Sequence, residues 1–124
     1  MVASGVPTER SDHAHALAAF ALDIQRELKT ISEELGRSLD IRIGIHSGPV
    51  TAGVIGTQKF AYDLWGDTVN TASRMESNGK VGFIQISEET KTLLEGAFRV
   101  EQRGKVTMKG KGELMTYFLV GACE

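Results

Sequence analysis

Between residues 12 and 36 the apolar side chains Leu17, Phe20, Ala21, Ile24, Leu28, Ile31 and Leu35 recur in steps of three and four. That spacing draws one stripe along a helix, and a striped helix must lay its apolar face on another layer of structure. Ser11 or Asp12 is placed to cap its start and Gly36 to stop it. The period then changes. Ile41, Ile43 and Ile45 alternate with Arg42 and Gly44, so 40–46 reads as a strand with one apolar face. Ser47-Gly-Pro49 makes a turn into a second strand, Val50 to Ile55, and the two read as an antiparallel hairpin.

The same reasoning extends along the chain. Residues 1 to 5 read as a short strand broken by Gly5 and Pro7, and 68–77 as a helix ended by Ser77-Asn-Gly79. Phe83 to Ile86 is a short strand. Ser87-Glu-Glu-Thr90 opens another helix, its acidic residues placed where the helix dipole favours them. Residues 98–108 and 113–120 form a second hairpin around Lys109-Gly-Lys-Gly112. These elements predict an α+β sandwich, helices on one face of a sheet, and the length of 124 residues suits one domain.

Composition narrows the function classes. A formal charge of −2 leaves no global basic footprint for nucleic acid. Arg103, Lys105, Lys109 and Lys111 form a local basic group without interleaved aromatics, which argues against stacking on bases. The single cysteine, Cys123, has no internal partner, which fits a reducing, cytoplasmic setting. No apolar run approaches the ~20 residues needed to span a bilayer, and Met1-Val-Ala-Ser-Gly5 lacks the features of a signal peptide. His13, His15 and His46 have no spacing suited to a metal. No serine or cysteine stands in a nucleophile context, and no Walker loop occurs.

Two segments carry chemistry. In Tyr62-Asp-Leu-Trp-Gly-Asp-Thr-Val-Asn-Thr-Ala-Ser-Arg-Met75, Asp63 precedes a Trp65-Gly-Asp67 turn. Asn70 and Arg74 follow, four apart, on one helix face. A guanidinium beside an amide suits a bound phosphate, because its planar fork donates two hydrogen bonds. A solvated helix face accounts for the same spacing. In Met108-Lys-Gly-Lys-Gly-Glu113 the glycines let backbone approach a ligand and the lysines supply mobile charge, although a plain hairpin tip has the same composition.

Taken together, Gly44-Ile-His-Ser-Gly-Pro-Val-Thr-Ala-Gly-Val-Ile-Gly56, Tyr62 to Glu76 and Lys109-Gly-Lys-Gly-Glu113 resemble the class III nucleotidyl cyclase catalytic domain in order and spacing, over about residues 1–120. The resemblance implies a ferredoxin-like sheet and conversion of a nucleoside triphosphate to a 3′,5′-cyclic monophosphate, assisted by two metal ions. It implies that Asp63 reads the purine and favours ATP, that Asn70 orients the ribose, that Arg74 stabilises charge on the transferring phosphoryl, and that Lys109 contacts the triphosphate. It also implies sites shared between two chains, in a homodimer or with another cyclase subunit.

The departures matter as much. The family places two metal-binding aspartates, and the lysine that partners Asp63, upstream of the strand resembled by Met1 to Gly5. The aspartates present offer no pair in such a context. The first strand and helix of the fold are missing with them, which is expected to expose sheet edges and one side of the 12–36 helix. The expectation is an N-terminally truncated cyclase domain, inactive alone and binding no metal alone, where the intact family enzyme takes magnesium or manganese. A non-catalytic cyclase-homology module that dimerises with another cyclase is the alternative.

Overall fold

The computed structural model describes residues 1–5, 10–49, 51–55 and 61–123, with the strands at 51–55 and 61–65 traced by backbone alone. Helix α1 spans His13–Leu35 and ends at Gly36, whose φ of 64° is open to glycine at no steric cost. Asp12 occupies the N-cap position, yet its carboxylate pairs with Arg10 at 2.8 Å and caps no amide. The strands are β1 (Ile43–Ile45), β2 (Thr51–Ile55), β3 (Ala61–Trp65), β4 (Ile84–Ser87), β5 (Phe98–Met108) and β6 (Gly112–Ala122). Helices α2 (Asp67–Ser77) and α3 (Glu88–Leu94) complete the chain.

A four-stranded sheet has the order β1-β4-β6-β5, and β2 and β3 form a separate two-stranded ribbon. β1 runs parallel to β4 and the other pairs are antiparallel. This corrects the expected hairpin between 40–46 and 50–55. β1 needs a parallel partner reached by a crossover, and α2 provides that crossover, while β2 pairs with β3, a strand the sequence did not signal. Residues 1–5 are also not a strand. Ser4 and Gly5 form a bend, and among the described residues nothing pairs with the segment.

The face that α1 buries overlaps the expected stripe only in part, with Ala21 buried and Leu17, Ile24 and Leu28 half-buried. Ala14, Ala18 and Ala21 are its buried positions, packed with Ile45, Ile84, Ile86, Leu94 and Leu119, while Phe20, Ile31 and Leu35 are exposed. Alanines at steps of four and three let the helix backbone settle close to the sheet. Periodicity gives the same phase to large and small side chains, so volume decided the rotation.

Helices are shared between the faces of the sheet rather than gathered on one. Successive residues of a strand point to opposite faces. In β1, Ile43 and Ile45 face α1, so Gly44 faces the other way, where a Cβ would meet the backbone of Met75 and Glu76 in α2. In β4, Ile84 and Ile86 join the α1 core, while the buried Gln85 donates from Nε2 to the Met75 carbonyl at 2.9 Å. Arg103 of β5 donates to Asn78 O at 2.8 Å and to Gln85 Oε1, and lies over the Phe118 ring. The guanidinium that looked like part of a basic patch is a fastener between the sheet and the end of α2.

Candidate functional site

Helix α2 presents the site. Gly66, at φ 125°, turns the chain from β3 into the helix, and Asp67 places a carboxylate in the first turn, where the helix dipole favours it. The Asn70 amide donates to the Gly66 carbonyl at 3.2 Å, so the residue is in register from the first turn onward. Asn70 is exposed and Arg74 half-buried, one turn apart on the same face.

The β5–β6 turn closes over that face. Gly110 and Gly112 have φ of 75° and 72°, and Lys111 N donates to Met108 O at 3.0 Å. Arg74 Nε donates to the Lys109 carbonyl at 3.2 Å, and Lys111 Nζ pairs with Asp67. The turn therefore touches α2 at both ends of the Asn70 face. Among the described residues the terminal nitrogens of Arg74 donate to no protein acceptor, which leaves the outer edge of its fork available. Arg74 and the backbone of Lys109, 35 residues apart in sequence, thus meet, with Asn70 one helical turn away on the same face of α2.

Asp63 is placed by its backbone, opposite Gly53 in the β2–β3 ribbon and four residues before α2; its side chain lies outside the described residues. The Lys111–Asp67 pair was not anticipated. It is lopsided, Lys111 being 19% and Asp67 81% exposed, so solvent screens it. Asp67→Asn is expected to lower stability by less than about 1 kcal/mol. Urea melts at low and high salt check this, the difference between variant and parent shrinking as salt rises.

A polar cluster behind the site was also missed. His46, at the end of β1, has Nδ1 2.7 Å from Ser87 Oγ and 3.3 Å from Glu89 Oε2, with its side chain 10% exposed. Ser47 Oγ lies 2.9 Å from Thr90 Oγ1. Ser87 caps α3, accepting from Thr90 N at 3.4 Å. The Ser87 cap was legible in the sequence, but its partners on the far side of β1 were not. Burial lowers the pKa of His46 below its ordinary 6.5, assisted by Lys111 and opposed by Glu89. The unfolded chain therefore takes up this proton at a higher pH than the folded one. The contribution is complete above about pH 6.5 and falls away as pH drops from there through the folded pKa. The urea midpoint of the parent should fall between pH 7.5 and 5.5 by more than that of His46→Gln.

The opposite side of α2, with Thr68, Val69 and Ala72, borders a cleft of about 850 Å³ whose other wall includes Leu17 and the His46–Pro49 turn. None of Asn70, Arg74 or Lys109 lines it, so the chemistry-bearing face and the cleft are distinct. Among the described residues no three His, Cys, Asp or Glu side chains converge as metal ligands. Among the described residues no helix is long and apolar enough to cross a membrane.

The family model described as the adenylate and guanylate cyclase catalytic domain matches residues 1–121. An adenylate cyclase of Mycobacterium tuberculosis is 46% identical over 121 residues, covering 98% of this chain and 27% of the relative. A receptor-type guanylate cyclase of Drosophila melanogaster is 47% identical over 130 residues, covering 100% of this chain and 8% of the relative. The chain thus spans about a quarter or less of these relatives. Among solved structures, the guanylate cyclase domain of RhGC from Catenaria anguillulae in complex with GTP superposes with a TM-score of 0.89 at 45% identity, over 97% of this chain and 66% of that one. The chain belongs to the adenylate and guanylate cyclase catalytic domain family.

Proposed function

We propose that these residues form the nucleotide-recognition and transition-state side of an adenylyl cyclase centre, which converts ATP to 3′,5′-cyclic AMP and pyrophosphate. The observation that carries this reading is the bond from Arg74 Nε to the Lys109 carbonyl, which unites the α2 face with the β5–β6 turn. The Asn70 amide orients the ribose so that its 3′-oxygen faces the α-phosphorus. Arg74, anchored through Nε, turns its remaining N–H groups toward the oxygens that gain charge as pyrophosphate leaves. Lys109 holds the triphosphate as a mobile point charge. Asp63 accepts from the 6-amino group of adenine, a position where guanine carries a carbonyl oxygen that a carboxylate repels, and this favours ATP over GTP. The relatives include adenylate and guanylate cyclases, so the base preference rests on Asp63.

An open surface binds a nucleotide weakly, and a second surface completes this one. The second comes from another copy or from another cyclase subunit, and only the latter would also bring the carboxylates for magnesium or manganese. These 124 residues alone are therefore expected to form no cyclic nucleotide from ATP or GTP with either metal. Mixing them with a class III cyclase chain that keeps its metal-binding aspartates but has lost its own arginine tests the reading. Restored turnover with ATP, and much less with GTP, is the expected result. Silence of the mixture, or inhibition of an intact cyclase by this chain, would instead support a non-catalytic module.

A further inference from the structure

Two glycines let β1 and the turn after it lie directly along α2. A Cβ on Gly44 would stand 2.1 Å from Glu76 N, and one on Gly48 would stand 2.7 Å from Thr68 Oγ1. The chain from 44 to 48 therefore runs antiparallel to the helix from 76 back to 68. Four extended residues cover about 13 Å and eight helical residues about 12 Å, so the two spans match. The β1 end of this track is fixed by pairing with β4. Among the described residues the Gly48 end has no strand pairing, and the polar cluster touches the turn from its other side.

The direction of the bonds in that cluster can be assigned. Ser87 Oγ accepts from Thr90 N and donates to Thr90 Oγ1 at 3.2 Å, so toward His46 it acts as an acceptor. Glu89 Oε2 is an acceptor too. The proton of the neutral imidazole therefore sits on Nδ1 and serves both, which assigns the tautomer from its neighbours. Ser47 adds its bond to Thr90. Both residues thus tie the turn to the first turn of α3, on the side away from α2.

We propose that His46 is a positioning residue: it clips the 46–48 turn to the start of α3, and the turn in its place sets where the first turns of α2, with Asn70 and Arg74, stand over the β5–β6 turn. Its bearing on nucleotide chemistry rests on the site reading above; the mechanical role does not. Lys111, the other charged group acting on His46, reaches across from the β5–β6 turn, so the clip and the site share a neighbour.

Hydrogen exchange of the 124-residue chain, read by mass spectrometry, tests this. In His46→Ala the amides of residues 70–74 should exchange about tenfold faster, the factor expected for one lost buried hydrogen bond, while those of β5 and β6 keep their parent rates. His46→Asn, which keeps a donor near the Nδ1 position, should bring the α2 rates back to within about threefold. Unchanged exchange in α2, an equal loss in His46→Asn, or a uniform loss that includes β5 and β6 overturns the proposal. Repeating the measurement with ATP separates the two readings. Protection at 70–74 and 109–111 bears on the nucleotide site, whereas the difference between His46→Ala and the parent without ATP bears on the clip.

Discussion

Arg74→Ala, in a cyclase assembly that contains this chain, is expected to lower kcat by about two to three orders of magnitude, or ~2.7–4 kcal/mol of barrier, the loss typical of one preorganised donor to a developing oxyanion. In the proposed role the interaction strengthens only as the α-phosphorus is attacked, so kcat and kcat/KM should fall together while KM changes little. Arg74→Lys should recover little. An ammonium at that position cannot hold the Lys109 carbonyl with one nitrogen and offer a planar pair of donors with the others. Steady-state kinetics of both variants decide the matter, and a variant with parental kcat and a raised KM would reduce Arg74 to ordinary ground-state binding. Circular dichroism keeps the reading clean, since the half-buried arginine also ties α2 to the turn.

Gly44→Ala is expected to be strongly destabilising. The new Cβ would sit 2.1 Å from Glu76 N, 2.5 Å from Met75 C and 2.7 Å from Glu76 Cα, all backbone atoms that cannot rotate away. Relief requires moving α2 off β1, which also strains the Gln85–Met75 bond and the Arg103 fastening at the helix end. Overpacking of this kind costs about 3 kcal/mol or more, a large share of the ~5–15 kcal/mol that holds a domain together. A urea titration should show the midpoint collapse with little change in slope. A midpoint within experimental error of the parent would mean that β1 and α2 are not in backbone contact.

Much of this arrangement could be read from residues before any fold was available. Gly36 marked the end of α1 because a helix that must stop needs a left-handed residue. Ser87 marked the start of α3 because its hydroxyl can take an orphan amide. Asn70 and Arg74, four apart, had to share a face, and Lys109 stood immediately before the Gly110-Lys-Gly112 turn. Each of these is a local rule acting within a few residues. The strand pairings were different. Whether 43–45 meets 51–55 or 84–87 depends on which pairing allows a helix to cross between them, and that is a property of the whole sheet. The burial of Ala14 and Ala18 in place of Phe20 and Ile31 likewise reflects a fit between two surfaces.

The sequence by itself determined the chemistry on offer: a guanidinium and an amide one helical turn apart, a lysine-bearing turn, and the residue spacing that resembles a cyclase. Those follow from covalent order and from periodicities of 3.6 and 2, which any reader of the chain can apply. The tertiary structure alone decided that the Lys109 carbonyl meets Arg74, that Asp67 engages Lys111, and that His46 ties the turn beside α2 to α3. These contacts join residues 35 to 44 positions apart in the chain, and only the shared sheet, with α2 on one side and α3 on the other, brings them within hydrogen-bonding reach.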